Sequence, residues 1–177
     1  IAAEGEAVVS GTAHADNVAP SILGGFTIAT ASGVESVSTD ISLVACLPEI
    51  AVSTRDARRV VPETAQMAAV VETVGNAATL AVGMCRGDPD LVGRGMDDPL
   101  VTPARAELIT GYGAVREAAI NAGATGVTVS GAGPSVLAVC RARDQRAVGN
   151  AMLTTFDNHE VDARVYQTQV SEGATIL

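Results

Sequence analysis

Apolar and polar positions change their period several times along the chain, and each change predicts an element. Short apolar runs between turn residues predict strands over 24–30, 41–52, 127–130, 135–141 and 161–169. Long Ala- and Val-rich stretches predict helices over 63–85, 103–122 and 144–155. Pro62 suits the first position of the 63–85 helix, and Gly111 is expected to interrupt the next one.

The remaining segments predict less regular structure. Residues 1–9 resemble the end of a helix, 12–21 a polar loop, 31–40 a turn or exposed connection, and 86–103 a loop. Pro48 indicates that the 41–52 strand has an edge position or a bulge. From residue 41 the order β-α-α-β-β-α-β is close to the ferredoxin-like arrangement, an α+β fold with an antiparallel sheet and helices on one face.

Composition narrows the function classes. The 177 residues are 47% apolar, which is enough for a sizeable core, but only 2% aromatic. The net charge is −9, and all 11 basic residues are arginine. Such an acidic chain repels phosphate backbones, so we expect no nucleic-acid partner, and it suits a high-salt medium that screens self-repulsion.

Three scattered cysteines, Cys46, Cys85 and Cys140, show no metal-ligand spacing. They predict reduced, buried thiols and a cytoplasmic location. No membrane partner is expected, because the apolar stretch 67–85 is broken by Glu72. The chain begins without Met or a helix N-cap, so we expect a missing upstream part.

Two segments carry candidate chemistry. The first, 11–25 (GTAHADNVAPSILGG), concentrates His14, Asp16 and Asn17 before an apolar run, as in loops that hold small polar ligands. Backbone hydrogen bonding or an Asx turn would explain the same residues. The second, 126–141, places a Ser-Gly-Ala-Gly-Pro-Ser turn between two strands. Pro134 and the strand after it disfavour a Rossmann or P-loop interpretation, so a turn that lets backbone approach a ligand is favoured.

Four motifs of the sequence resemble those of the GHMP superfamily of small-molecule kinases. The motifs are His14-Ala-Asp-Asn-Val-Ala-Pro20 with Gly24-Gly25, Ala57-Arg58-Arg59-Val60-Val61-Pro62, Arg105-Ala-Glu-Leu-Ile-Thr-Gly111 and Ser130-Gly-Ala-Gly-Pro-Ser135. The HADN form is most similar to the homoserine-kinase branch. The likeness spans essentially the whole chain, although Thr110 replaces a common proline and Ala132 a common serine.

For the fold, the resemblance implies that 1–39 are the end of a ribosomal-protein-S5-like N-terminal domain. Residues 40–177 would form the ferredoxin-like C-terminal domain. The family's Gly-rich phosphate loop is not present in this sequence. We therefore expect residues 1–177 alone to show no turnover.

For the site, the resemblance implies transfer of the γ-phosphate of ATP, with Mg²⁺, to the hydroxyl of L-homoserine in threonine biosynthesis. His14, Asp16 and Asn17 would line the homoserine site, and Arg58 and Arg105 would bind its carboxylate. Asn17 would position the hydroxyl, Asp16 would position it or act as base, and Arg105 would also offset charge. The implied cofactor residues are Gly131, Gly133 and Ser135, and the implied Mg²⁺-associated acid is Glu6.

The family also implies a homodimer. Two alternatives remain open: another GHMP kinase, and a ferredoxin-like amino-acid-binding module without catalysis. Without the resemblance, Arg58 beside Arg59 would indicate a solvated face, and Arg55 would be an equal candidate for the site.

Overall fold

The computed structural model describes residues 15–175 of the chain. These residues belong to two compact units, Ile1–Asp40 with Val170–Leu177 and Ile41–Gln169. The division into domains at 39/40 stays a prediction. The expected helix end over 1–9, and with it Glu6 and His14, lies outside the described residues.

The first unit contains helix α1 (Ala15–Leu23) and strands β1 (Phe26–Thr30) and β2 (Gly33–Val37). The two strands form an antiparallel hairpin, with Phe26 opposite Val37. Gly24 and Gly25 have φ values of 68° and 67°, which suits the abrupt change from helix to strand. The Gly25 amide donates to the Ser171 carbonyl at 2.8 Å, which ties residues after 169 to this unit.

Two loop predictions in this unit are wrong. The segment 12–21 is helical from Ala15 onward because Val18, Ala19, Ile22 and Leu23 recur at helical spacing, and this period outweighs the polar residues and Pro20. The 31–40 connection contains β2, because a tight turn after Thr30 returns the chain alongside β1. The Thr30 hydroxyl donates to the Gly33 carbonyl at 3.1 Å and helps to close that turn.

The second unit is built on a four-stranded antiparallel sheet. Its strands are β3 (Ser42–Pro48), β4 (Ala124–Val129), β5 (Val136–Cys140) and β6 (Ala163–Gln169). The spatial order β4-β5-β3-β6 confirms the ferredoxin-like sheet. β3 is an interior strand whose residues alternate between buried and half-buried. Pro48 is tolerated there because it is the last residue of the strand rather than an edge or a bulge.

Six α-helices and one 3₁₀ turn, Ala142–Asp144, accompany the sheet in the second unit. The helices are α2 (Thr54–Arg59), α3 (Met67–Arg86), α4 (Pro89–Gly95), α5 (Thr102–Ala106), α6 (Tyr112–Asn121) and α7 (Gln145–Asn158). The break between α5 and α6 confirms the expected interruption at Gly111. The core lies where α6 and α7 pack on the sheet, and Val44, Val115, Met152 and Phe156 are fully buried in it.

One helix prediction and one loop prediction need correction. Pro62 does not begin α3; it follows Val60, the C-cap of α2, at a position where proline prevents a helix from continuing. α3 begins only at Met67. The predicted loop 86–103 contains α4, because the Asp88 carboxylate accepts from the amides of Asp90 and Leu91 and Pro89 occupies the first turn.

Helix α3 has two contrasting faces. One packs on α4, and a Cβ at Gly83 would lie 2.6 Å from the Val92 amide nitrogen. The other is exposed and apolar, with Met67, Val71 and Val74 73%, 64% and 65% exposed. By length and composition, α3 is the one helix among residues 15–175 that could cross a membrane, and a single helix of this kind is weak evidence for a span.

Candidate functional site

Arg105 joins three segments of the second unit that are far apart in sequence. Its Nε donates to the carbonyl of Ala57 in α2 at 3.3 Å, and its Nη1 donates to the carbonyl of Gly131 at 2.7 Å. The guanidinium therefore connects the short helix α5, helix α2 and the turn 130–135. Three of the four sequence motifs meet at this side chain.

The arginine retains capacity to bind an anion. A guanidinium has five N–H donors in a planar fork, and these two hydrogen bonds use two of them. No carboxylate within the described part of the chain lies close enough to form an ion pair with Arg105. A planar, half-exposed cation with free donors can bind a carboxylate or a phosphate bidentately.

Asp98 supports the helix that carries Arg105. Its carboxylate accepts from the amides of Leu100 at 2.9 Å, Val101 at 3.1 Å and Thr102 at 2.9 Å. Burial alone would raise the pKa of Asp98, but these hydrogen bonds outweigh it and hold the pKa below its ordinary value. The Asp98 side chain is therefore a charged cap before α5.

A hydroxyl pair attaches the same helix to the sheet. Thr102 Oγ1 lies 3.2 Å from Asp98 Oδ2 and 3.1 Å from Thr128 Oγ1 of β4. Both contacts are half-buried, so water competes with them less than it would at the surface. Asp98 therefore holds the N-terminal end of α5, the helix that carries Arg105, and β4 holds one side of it.

The turn 130–135 presents open backbone to its surroundings. The Ser130 amide donates to the Ser135 carbonyl at 2.8 Å, and the Gly133 amide donates to the Ser130 carbonyl at 2.9 Å. Gly131 and Gly133 have φ values of 56° and 83°, where a side chain would be strained. Among the described residues, no atom beyond the two chain neighbours lies within 4 Å of the place that a Cβ of Gly131 would occupy, so there is room for a ligand beside the main chain there.

Arg58 is exposed and follows the buried Ala57, whose carbonyl contacts Arg105. Its neighbour Arg59 forms a weak pair with Asp56 at 3.9 Å. Among residues 15–175, no carboxylate is paired with Arg58. This difference favours Arg58 over Arg59 as the second cation of the site.

The remaining predicted site residues belong to the first unit, and two of them lie outside the described residues. Asp16 and Asn17 are exposed on α1 in the first unit, and Glu6 and His14 lie outside the described residues. Residues 15–175 contain no group of three His, Cys, Asp or Glu that could hold a metal ion. A shared cavity for the HADN residues and the two arginines stays a prediction.

Asp98 and the carbonyl of Ala57 were not among the predicted site residues. Asp98 precedes Pro99, a dipeptide typical of turns in which the aspartate accepts nearby amides, so its capping role had a readable signal. The Ala57 carbonyl had none, because every residue has a carbonyl and only the tertiary fold selects one.

Comparison with known proteins agrees with the motifs. Residues 80–158 match the family described as GHMP kinases C terminal. The whole chain is 68% identical to a homoserine kinase of Halorubrum lacusprofundi and covers 60% of that protein. It is also 68% identical to a homoserine kinase of Haloquadratum walsbyi, of which it covers 61%. The chain thus spans about 60% of the length of these relatives.

A solved structure supports the same relationship. The crystal structure of a homoserine kinase from Cytophaga hutchinsonii superposes with a TM-score of 0.88 at 35% identity. The match covers 96% of this chain and 56% of that one. The family model over residues 80–158, the relatives aligned along the whole chain and the superposable structure agree that the chain contains a GHMP kinase C-terminal domain.

Proposed function

We propose that the protein is a cytoplasmic homoserine kinase that transfers the γ-phosphate of ATP to the side-chain hydroxyl of L-homoserine, a step of threonine biosynthesis. Relatives named homoserine kinase at 68% identity support the assignment. The observation in this chain that carries it is Arg105, which joins α2 and the 130–135 turn while keeping donors for an anionic ligand.

The two arginines suit the acceptor's carboxylate. Homoserine differs from simple alcohols in its carboxylate and ammonium, and a planar guanidinium binds a carboxylate bidentately. In this proposal Arg105 binds the carboxylate and Arg58, on the adjacent helix, adds a second positive charge. Arg105 also offsets negative charge as the phosphoryl group moves.

The residues of α1 serve the reacting end of the acceptor. Phosphoryl transfer passes through a loose transition state, so catalysis consists chiefly of positioning and charge stabilisation. Asn17 would orient the hydroxyl, and Asp16 would accept from the ammonium or take the hydroxyl proton. His14 would line the same site.

The 130–135 turn has room for ATP phosphates, whereas the described residues offer no cluster of ligands for a magnesium ion. The space at the Cβ position of Gly131 is empty of other described residues, and Gly133 and Ser135 shape the same turn. Mg²⁺ prefers several oxygen ligands, and the described residues provide no cluster of three acidic groups. The assignment of Glu6 to Mg²⁺ therefore rests on the family resemblance.

The test is ADP release by the full-length protein with L-homoserine, mevalonate or galactose as acceptor. We expect turnover with homoserine alone; turnover with another acceptor, or none with any, would reject the assignment. Amino-acid binding without ADP release would favour the non-catalytic module.

Arg105→Ala tests the proposed carboxylate contact. Removing one member of a buried charge pair costs about 2–5 kcal/mol, and the partial exposure of Arg105 places its cost at the lower end, about 2–3 kcal/mol. The kcat/KM for homoserine should therefore fall by roughly 30- to 150-fold. The KM for ATP should not change. Arg94→Ala, which removes an exposed arginine from α4, is the matched control and should behave as wild type. An unchanged kcat/KM in Arg105→Ala would remove this residue from the site.

We also propose a homodimer, as the family implies. Light scattering of the purified full-length protein after gel filtration tests this directly, and a monomeric mass at micromolar concentration would contradict it.

A further inference from the structure

We infer that Asp98 is a positioning residue for the proposed homoserine site: it fixes the short helix from which Arg105 extends its guanidinium to the substrate carboxylate. The inference rests on the proposed function for its substrate, whereas the link between Asp98 and Arg105 stands on this chain's own contacts.

Helix α5 is too short to be stable without support from outside its own residues. Thr102–Ala106 is only five residues long, and isolated helices of this length are not stable in water. Its N-cap, Val101, provides no side-chain hydrogen bond. Asp98 compensates because its two carboxylate oxygens accept from three consecutive amides, those of Leu100, Val101 and Thr102.

Hydrogen bonds of Val101 connect Asp98 with the backbone of Arg105. The Val101 amide donates to Asp98, and the Val101 carbonyl accepts from the Arg105 amide at 3.1 Å. One peptide segment therefore connects the carboxylate to the backbone of Arg105. The hydroxyl contact between Thr102 and Thr128 attaches the first turn of α5 to β4.

The position of α5 determines whether the Arg105 guanidinium reaches both of its carbonyl partners. Arg105 Nη1 and Nε reach two carbonyls on different segments, at 2.7 and 3.3 Å. A shift of α5 by about 1 Å would lengthen at least one of these contacts beyond hydrogen-bonding range and turn the free edge of the guanidinium. A displacement of that size in a positioning element can cost up to roughly 100-fold in rate.

Asp98→Asn is the test, and Asp88→Asn is its matched control. Asp88 caps α4 through the amides of Asp90 and Leu91, at 3.0 and 3.2 Å, but α4 carries no proposed site residue. If capping is only structural, both variants should lower Tm and leave homoserine kinetics unchanged. We expect Asp98→Asn alone to lower kcat/KM for homoserine, by between tenfold and roughly 100-fold, with the KM for ATP unchanged.

A double variant separates positioning from general damage. In the Arg105→Ala background, Asp98→Asn should cause no further loss of kcat/KM for homoserine, because the group that it positions has been removed. Additive losses would overturn the inference. Equal homoserine kinetics in Asp98→Asn and Asp88→Asn would overturn it as well.

An NMR measurement without substrate distinguishes failure of this inference from failure of the proposed function. The Nε–H signal of Arg105 in ¹⁵N NMR should be sharp and protected from exchange in the wild type and lost in Asp98→Asn, but kept in Asp88→Asn. If the wild type does not phosphorylate homoserine, the proposed function fails while this signal still tests the link. A protected signal in Asp98→Asn would refute it.

A second pair of variants covers the case in which Asp98→Asn does not fold. Thr102→Val removes the hydroxyl contacts to Asp98 and Thr128 but keeps the side-chain shape, and Thr102→Ser keeps the hydroxyl. Thr102→Val should lose the Arg105 signal and Thr102→Ser should retain it. Retention in both would count against the inference.

Discussion

Substitution of Gly93 by alanine tests the close packing of α4 on β4. A Cβ at Gly93 would overlap the carbonyl group of Thr125 and lie 2.8 Å from the Gly126 nitrogen. From the other side, a Cβ at Gly126 would lie 2.5 Å from the Cα of Gly93. Because every obstacle is main chain, no side chain can rotate to make room, and α4 would have to move away from the sheet.

The size of the effect follows from two opposing terms. Alanine gains about 1 kcal/mol over glycine within a helix. Overpacking of a tight core contact costs about 1–3 kcal/mol, and a backbone obstacle belongs at the upper end or above it. Moving α4 would also open the contacts of Val92, which is fully buried. We therefore expect a net destabilisation of about 2 kcal/mol or more, which lowers Tm by roughly 4–8 °C for a chain of this size.

Thermal unfolding by circular dichroism measures the change, with Gly75→Ala as the control. Gly75 lies within α3, and a Cβ there would meet no atom of the described residues within 4 Å, so alanine should raise Tm by roughly 2–4 °C. Opposite shifts for the two glycine-to-alanine changes would support the packing. A Gly93→Ala variant that melts at or above the wild-type temperature would refute it.

Three further predictions concern charge and thiols. The pKa of Asp98 is lowered in the folded state, because hydrogen bonds from Leu100, Val101 and Thr102 outweigh burial. The ionised carboxylate stabilises the fold fully above about pH 4, and this stabilisation is lost as the pH falls through the lowered pKa of the folded state. In urea unfolding, the free energy of unfolding should therefore fall more steeply with decreasing pH in the wild type than in Asp98→Asn. Cys46 and Cys140 are buried, whereas Cys85 is exposed, so the prediction of a buried thiol is wrong at Cys85. Burial raises the pKa of the Cys46 and Cys140 thiols to about 11, and Asp144 also raises that of Cys140. A thiol reagent at about pH 8 should therefore label only Cys85 until the protein unfolds. Rapid labelling of all three cysteines in the native protein would contradict this. With a net charge of −9, Tm should rise between about 0.1 M and 1 M KCl as the Debye length falls from about 10 to 3 Å; no rise would refute the argument from self-repulsion.

The sheet of the second unit could be predicted from sequence because its signal is local. Apolar runs bounded by turn residues mark β3, β5 and β6, and the Ser130–Ser135 turn joins β4 and β5 as neighbours. The errors arose where two local signals competed. In α1 helical spacing outweighed polarity, and Pro62 ended one helix instead of beginning the next.

The candidate site was predictable only in part, because the sequence motifs supplied residue types but not contacts. Arg105 and the glycine turn were identified from their resemblance to a family, and the structure shows that they touch. Asp98 was missed because its partners are amides rather than side chains. A search for chemistry by residue type overlooks a residue that acts on backbone.

The use of main-chain carbonyls also determines how the site responds to substitution. A change of side chain at Ala57 or Gly131 leaves the carbonyl in place, so neither position would lose its hydrogen bond to Arg105 directly. Both would act through shape: Ala57 is fully buried, and Gly131 has a φ of 56°, which a larger residue adopts at a cost of about 1–2 kcal/mol. Arg105 holds three segments together through groups that every residue possesses. Its position is therefore encoded in how closely α2, α5 and the 130–135 turn can pack, and the small residues in these segments matter for the site although they carry no chemistry of their own.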